Sequence, residues 1–387
     1  MNVIIIFLIL FISGGIIVVL DWAEWFYPIL IGLLTLQIVF NTKKKVTSKK
    51  SLIYQLLILA LFLIGIFIRK ESFFDNDNAL IVLKILIVMY ISIYVKTVFE
   101  TKYHFLAKYI QVFEKLMILS LFTFVISNIF PFTVFSIKDE FLSILGLGFT
   151  RTFDFSKYGL FRNQGIFWEP GVLGFFTCLT YIFKVWFFND KRNKNLYYIT
   201  IISTLSMGTI LVFLLIVIYE WLQNNLSKNK MLGYLAILFA PISIIVIAII
   251  PSLLLDFLST LFRRDITTDN SILTRSYDLY YGILSALQKV YFGHGKDFTA
   301  FYDLTLQEIN KTKAWYDGGI TNSVVSILYC YGVLFLVLYL SQVYGVFSAV
   351  KSKKSNFFLF IILMGLLMIE PLHFSVIMLL FITMKFK

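Results

Sequence analysis

The residues best suited to chemistry are Arg162, Glu169 and the turn formers around them, in the stretch Arg162-Asn163-Gln164-Gly165-Ile166-Phe167-Trp168-Glu169-Pro170-Gly171. A guanidinium and a carboxylate stand there against the start of a long apolar run. Charge at such a boundary is costly once desolvated, and an anchoring loop needs no more than Trp and Lys, so the stretch reads as a site. A guanidinium fork grips two phosphate oxygens at once, and a nearby carboxylate can orient a sugar hydroxyl or accept its proton. Glu169 also has a structural reading, because an acidic residue followed by proline at the first helical position starts a helix well. Gly165 and Gly171 suit turn geometry and close helix approach.

Other arginines concentrate in two long polar stretches, residues 131–168 and 256–319, which hold Arg151 and then Arg263, Arg264 and Arg275. The remaining polar loops are mostly lysine. Arginine fits bidentate phosphate binding, while the plain reading pairs these side chains with Asp154, Asp265, Asp269 and Asp278 or with lipid headgroups. Gly293-His294-Gly295 offers a candidate proton acceptor or simply an exposed loop histidine. Asn322, at a helix start, is a candidate substrate contact or a cap. The histidines at 104, 294 and 373 are scattered without carboxylate spacing, and Cys178 and Cys330 fall inside apolar runs, so no metal site or disulfide framework is expected.

What positions these residues follows from composition. With 387 residues, 59% hydrophobic and only 14% charged, the chain has too little polar surface to coat a soluble globule, and reads as a polytopic membrane protein. Residues 3–20 are too long for a secretory signal core and lack a basic leader, so this segment is expected to be retained. The net charge of +12 comes as short lysine clusters between apolar runs, which fits orientation signals and contacts to membrane lipids, and no nucleic-acid-binding module is visible.

Counting outward from Lys43-Lys44-Lys45 as a cytoplasmic marker puts residues 131–168 and 256–319 outside and both termini inside. The spans expected are 3–20, 26–41, 52–68, 79–96, 109–130, 169–188, 231–255 and 320–348, within a single integral membrane domain over 1–387. Residues 196–222 read as two half-length helices meeting near Ser206-Met207-Gly208-Thr209, since a single crossing there would invert the later loops. Glu370-Pro371-Leu372-His373 interrupts the last apolar run, 356–386, and predicts a short hairpin with its tip outward. An amphipathic helix over Ser276 to Val290 is expected to lie on the membrane surface.

The order of these pieces resembles the O-antigen and capsular polysaccharide polymerase family (Wzy type), itself related to the O-antigen ligases. The matching positions are Arg162-x-x-Gly165-x-x-x-Glu169-Pro170-Gly171, the Ser203-Thr204-Leu205-Ser206-Met207-Gly208 break, Ser271-x-x-x-Arg275, Gly293-His294-Gly295, and Asn322-Ser323 opening a late helix. They cover about residues 150–345. The resemblance implies an all-α, GT-C-like protein of about 10 to 12 transmembrane helices, in the bacterial cytoplasmic membrane with its site facing out. It implies an inverting glycosyltransferase without metal or cofactor, acting on undecaprenyl-pyrophosphate-linked oligosaccharide, with a chain-length regulator protein as a partner. Arg162, Arg275, Arg264 and Asn322 would hold pyrophosphate and glycan, and Glu169 or His294 would take the acceptor's proton. Ligases of this group usually carry histidine where Thr321 stands, which favours a polymerase. A ligase remains the alternative of the same chemistry. A flippase for the lipid-linked unit is the alternative of another class, although its cavity should be lined with charge and the spans hold chiefly Lys84, Glu114, Lys115 and Lys184.

Overall fold

A backbone without water must satisfy its own amides, and long apolar runs do so as helices. The computed structural model describes residues 1–15, 23–41, 49–73, 75–99, 101–131, 134–138, 141–144, 148–151, 161–226, 279–295, 297–304, 320, 322–350, 353–370 and 372–384. Within them, α1 (Asn2–Gly14), α2 (Ala23–Phe40), α3 (Lys49–Arg69), α4 (Asn76–Val98) and α5 (Lys102–Ile129) precede three strands, β1 (Val134–Lys138), β2 (Phe141–Ile144) and β3 (Gly148–Arg151). Then come α6 (Pro170–Ile182), α7 (Lys194–Thr204), α8 (Met207–Leu226), a short α9 over 279–286, α10 (Ser323–Val346), α11 (Lys353–Ile369) and α12 (Val376–Met384). Among the described residues, four helices are long and apolar enough to cross a membrane, namely Asn78–Val98, Lys102–Ile129, Pro170–Phe187 and Ser323–Val346, and five shorter apolar helices accompany them. The chain is a helical, membrane-embedded protein.

The strands form an antiparallel meander inside the first long polar stretch, with Phe135 opposite Ser143 and Leu142 opposite Thr150. It packs on α5. Two helices make the centre: every residue of α6 and of α12 is buried, as befits helices that are apolar all round. Around α12 stand α1, α3, α4 and α10, and α6 packs on α7 and α8. The peripheral α3, α5 and α8 leave Phe67, Phe122 and Trp221 exposed, the pattern of lipid-facing surfaces.

The break expected near residues 206–209 is present, but of the two half-length helices expected only α7 is short, and α8 runs 20 residues, about 30 Å. Leu205 takes the left-handed conformation, at φ 50°, and α8 begins at Met207. Lys194 at the start of α7 pairs with Glu220 near the end of α8, and the rings of Tyr198 and Phe213 pack at 5.5 Å, so the two helices run antiparallel as a hairpin. With 11 residues, α7 reaches only about 16 Å before it turns back. The open end of the hairpin is polar. Glu220 also accepts from the Tyr181 hydroxyl at 2.6 Å. Beside it, Lys184, buried in the π-helical turn Phe183–Phe187 that extends α6, pairs with Glu114 of α5, whose carboxylate takes a second bond from Tyr197 at 3.1 Å.

A second break lies inside α10. Residues 320–348 read as one crossing, yet Gly332 lies at φ 78°, ψ 177° and splits α10, in a region of backbone space open essentially to glycine alone. The segment after α9 fills the gap: His294 N–H donates to the Tyr329 carbonyl at 2.7 Å, Gly295 N–H to Cys330 at 2.9 Å, and Val333 N–H to Val290 at 2.7 Å. The surface helix expected over 276–290 is described from 279 and ends in a 3-10 turn, Leu287–Lys289. The last expected interruption is also found, as the turn between α11 and α12, where Leu372 N–H bonds the Glu370 carbonyl at 2.8 Å.

Candidate functional site

Residues 161–169 run in extended and turn conformations between three helix ends. Asn163 N–H donates to the Ser203 carbonyl at 3.0 Å, and its side-chain amide donates to the Ser203 hydroxyl at 2.9 Å and the Ser120 hydroxyl at 3.3 Å. Its carbonyl oxygen takes the amide of Gly165 at 3.2 Å, and Gly165 turns at φ 58°, where a β-carbon is disfavoured. Phe167 then bridges to Gly15, and Trp168 N–H donates to the Gly14 carbonyl at 3.2 Å. The stretch is thereby fastened to α5, α7 and α1 before α6 begins.

That fastening delivers Arg162 to the hairpin tip. Its Nε donates to the Thr204 carbonyl and its Nη2 to the Leu205 carbonyl, both at 3.1 Å. The last carbonyls of a helix lack partners within the helix and carry the negative end of its dipole, so a guanidinium is well suited to them. Two bonds from two different nitrogens fix the plane of the fork.

Glu169 stands at the cap position of α6 with extended geometry, φ −142° and ψ 150°, and Pro170 follows at the first helical position. The start is the one its sequence implies, but the carboxylate makes no cap bond to α6. A second carboxylate meets this helix start. A β-carbon on Gly171 would fall inside the Glu370 carboxylate and 3.5 Å from the Ser206 hydroxyl. Glu370, 2% exposed, thus lies against bare glycine backbone beside the hairpin tip. Its own carbonyl accepts from the Ser323 hydroxyl at 2.5 Å, which ties in the start of α10. Asn322 caps that helix, its Oδ1 accepting from Val324 at 3.0 Å and Val325 at 3.2 Å.

His294 is held apart from this junction. It stacks on Tyr329 with ring centroids 4.7 Å apart, and Tyr329 lies two turns, about 10 Å, along α10 from Asn322. The ring is 5% exposed, and its Nε2 contacts the Ser285 carbonyl at 2.9 Å, so that nitrogen carries the proton. Burial lowers its pKa below the usual 6.5, which favours the neutral ring. Of the two readings of His294, the exposed loop histidine does not hold, because the residue is buried.

Of the residues picked from sequence, Arg162, Glu169 and Asn322 come to one end of the bundle, and His294 sits against the middle of α10. Arg264 and Arg275 lie outside the described residues, as does Arg263. Arg151 closes β3. Glu370, by sequence only part of a hairpin tip, also belongs to this junction. A signal for Glu370 was present: the chain has two Glu-Pro steps at the edges of apolar runs, 169–170 and 370–371, and the structure brings both glutamates to the start of α6. Gln164, 0% exposed, finds no hydrogen-bond partner for either amide atom among the described residues. Among those residues no three of His, Cys, Asp and Glu gather as a metal-binding group.

No protein-family model matches the sequence, and a search of curated proteins finds no relative.

Proposed function

We propose that the chain is a polysaccharide polymerase of the inverting, metal-independent membrane type, with a GT-C-like fold of about 10 to 12 crossings, in the bacterial cytoplasmic membrane. It would transfer a glycan from an undecaprenyl-pyrophosphate donor to a lipid-linked repeat-unit acceptor at the outer face. One observation carries this reading. Three of the five sequence elements behind the resemblance, the Arg162–Gly171 helix start, the Ser203–Gly208 break and the Asn322–Ser323 helix start, meet at one polar junction at the end of the bundle.

The chemistry asked of that junction is limited. As the bond from the anomeric carbon to the pyrophosphate oxygen breaks, negative charge grows on the leaving group, and fixed guanidinium groups stabilise it. Arg162, whose Nε and one Nη2 hydrogen are held by Thr204 and Leu205, would offer its remaining Nη hydrogens to the phosphate, with Arg275 and Arg264 as further phosphate ligands and the Asn322 side-chain NH2 at the glycan. The acceptor hydroxyl attacks from the opposite face and gives its proton to a base. Glu169 is better suited to that task than His294, because it is part-exposed beside the junction while the Nε2 of His294 is committed to Ser285.

The test is reconstitution of the purified chain with its host's undecaprenyl-pyrophosphate-linked repeat unit in EDTA, with products resolved on a gel. A ladder of lengthening glycans is the expected result. Single units left unchanged by folded protein would overturn the polymerase reading, and transfer of whole chains to a different acceptor would make it a ligase.

A further inference from the structure

A carboxylate in a membrane bundle is expensive to keep, and such groups are retained where they serve a site. Glu370 is one of these, and nothing in the resemblance assigns it a role. Its contacts are unusual in kind. The carboxylate lies against the backbone of α6 at Gly171, close to the Ser206 hydroxyl at the tip of the α7–α8 hairpin, and its carbonyl takes the Ser323 hydroxyl at the start of α10. Each of those three chain ends carries a group of the junction. Gly171 is two residues beyond Glu169, Ser206 adjoins the Leu205 carbonyl that Arg162 holds, and Ser323 follows Asn322.

We propose that Glu370 is a positioning residue of this site: its charge sets the register of the α6 start, the hairpin tip and the α10 start, and so the aim of Arg162, Glu169 and Asn322. The proposal rests on the polymerase reading. Two features support a role for the charge as well as the packing. Glu370 sits at the amino end of α6, where the helix dipole favours an anion. Gly171 leaves room for a carboxylate that any other residue there would displace.

Glu370 forms no bond to substrate in this proposal, so its loss should act on turnover through misplacement of the groups it aligns. The experiment uses the full chain in proteoliposomes with the lipid-linked repeat unit, and compares wild type, Glu370→Gln, Glu370→Asp and Gly171→Ala. Chain extension is read as kcat and KM from about pH 5 to about pH 9. Glu370→Gln should lower kcat about 100-fold, the scale of a small displacement of reacting groups, with KM within about 3-fold. Glu370→Asp, which keeps the charge, should recover at least about 10-fold of that loss. Gly171→Ala should reproduce the Glu370→Gln defect.

Wild-type kinetics in Glu370→Gln, beside an extending wild type, would overturn this proposal and leave the polymerase reading standing. Equal losses in Glu370→Gln and Glu370→Asp, with melting temperatures lowered in step, would reduce Glu370 to packing and also overturn it. A wild type that makes no ladder would remove the polymerase reading, and this proposal with it.

Discussion

Arg162 grips the carbonyl of Leu205 at 3.1 Å, and Leu205, which carries a β-carbon, is itself at φ 50°. A side chain of that kind in the left-handed region costs about 1–2 kcal/mol. Such strain persists only where the surroundings over-determine it, and here Arg162 supplies part of the hold on both Thr204 and Leu205.

Arg162 therefore has two consequences to separate. Arg162→Ala removes two donors from buried-end carbonyls and should lower stability by about 1–3 kcal/mol, read as an earlier thermal melt in detergent. On the proposed function it also abolishes chain extension while the chain still inserts. Arg162→Lys keeps the charge but cannot bond both carbonyls in one plane, so it should melt between the two and extend poorly. Normal ladders from the alanine variant would remove Arg162 from the site.

Gly332→Ala should be among the most damaging single changes in the chain. The φ of 78° with ψ of 177° penalises any side chain, and an added β-carbon would collide with the Tyr291 carbonyl. A loss of at least about 2 kcal/mol follows from the backbone alone. Size-exclusion profiles of detergent extracts should show little folded monomer. A wild-type profile would mean that the docked segment 290–295 moves aside without cost.

The titration of His294 gives a pH dependence whose sign is fixed. Burial holds its folded pKa below 6.5, so the unfolded chain takes up the proton first on acidification. The stability it contributes is whole above about pH 6.5 and is lost as pH falls from there toward the lowered folded value. His294→Gln keeps a donor for the Ser285 carbonyl and removes the titration. Melting temperatures measured between about pH 7.5 and about pH 5 should fall less steeply in the variant. Parallel slopes would refute the assignment.

At the far end of the bundle, the buried Lys184, its side chain 4% exposed, pairs with the part-buried Glu114, 17% exposed. Lys184→Ala leaves the Glu114 carboxylate to the Tyr197 hydroxyl and should cost about 1–3 kcal/mol. The double change Lys184→Met with Glu114→Gln should recover much of it, because no uncompensated charge is left. A double-mutant cycle on thermal melts measures the coupling, and additive losses would show that the two do not interact.

Gln164 invites the opposite expectation. An amide with no partner among the described residues costs stability, and Gln164→Met fills similar space without polar atoms, so the variant should be more stable by about 1 kcal/mol, read as a higher melting temperature. Loss of chain extension in that more stable variant would assign the amide to substrate.

What could be read in the sequence was whatever left a mark on a run of apolar residues. Ser206-Met207-Gly208-Thr209 weakens one such run and Glu370-Pro371 stops another, and the chain turns at both places. Glu169-Pro170 likewise announced the start of α6. The strands of 134–151 escaped because VFSIK, FLSI and GFTR are too short to show alternation. Gly332 escaped for a different reason: its neighbours Tyr331 and Val333 continue the apolar run, and the break is imposed by residues 290–295, some 40 positions away in sequence, which supply the lost hydrogen bonds. His294 looked like loop chemistry because its burial depends on the same docking. In the site, Arg162 was legible as an out-of-place charge, whereas the meeting of Glu370 with Gly171 joins residues about 200 apart and left no trace in spacing.

The α7–α8 hairpin has an effect on every label placed downstream of it. Since Lys194 and Glu220 meet, the polypeptide enters and leaves this region through the same end of the bundle. The whole of 194–220 is neutral in the crossing count: a reporter fused at Asn189 and one fused just past α8 should light up in the same compartment.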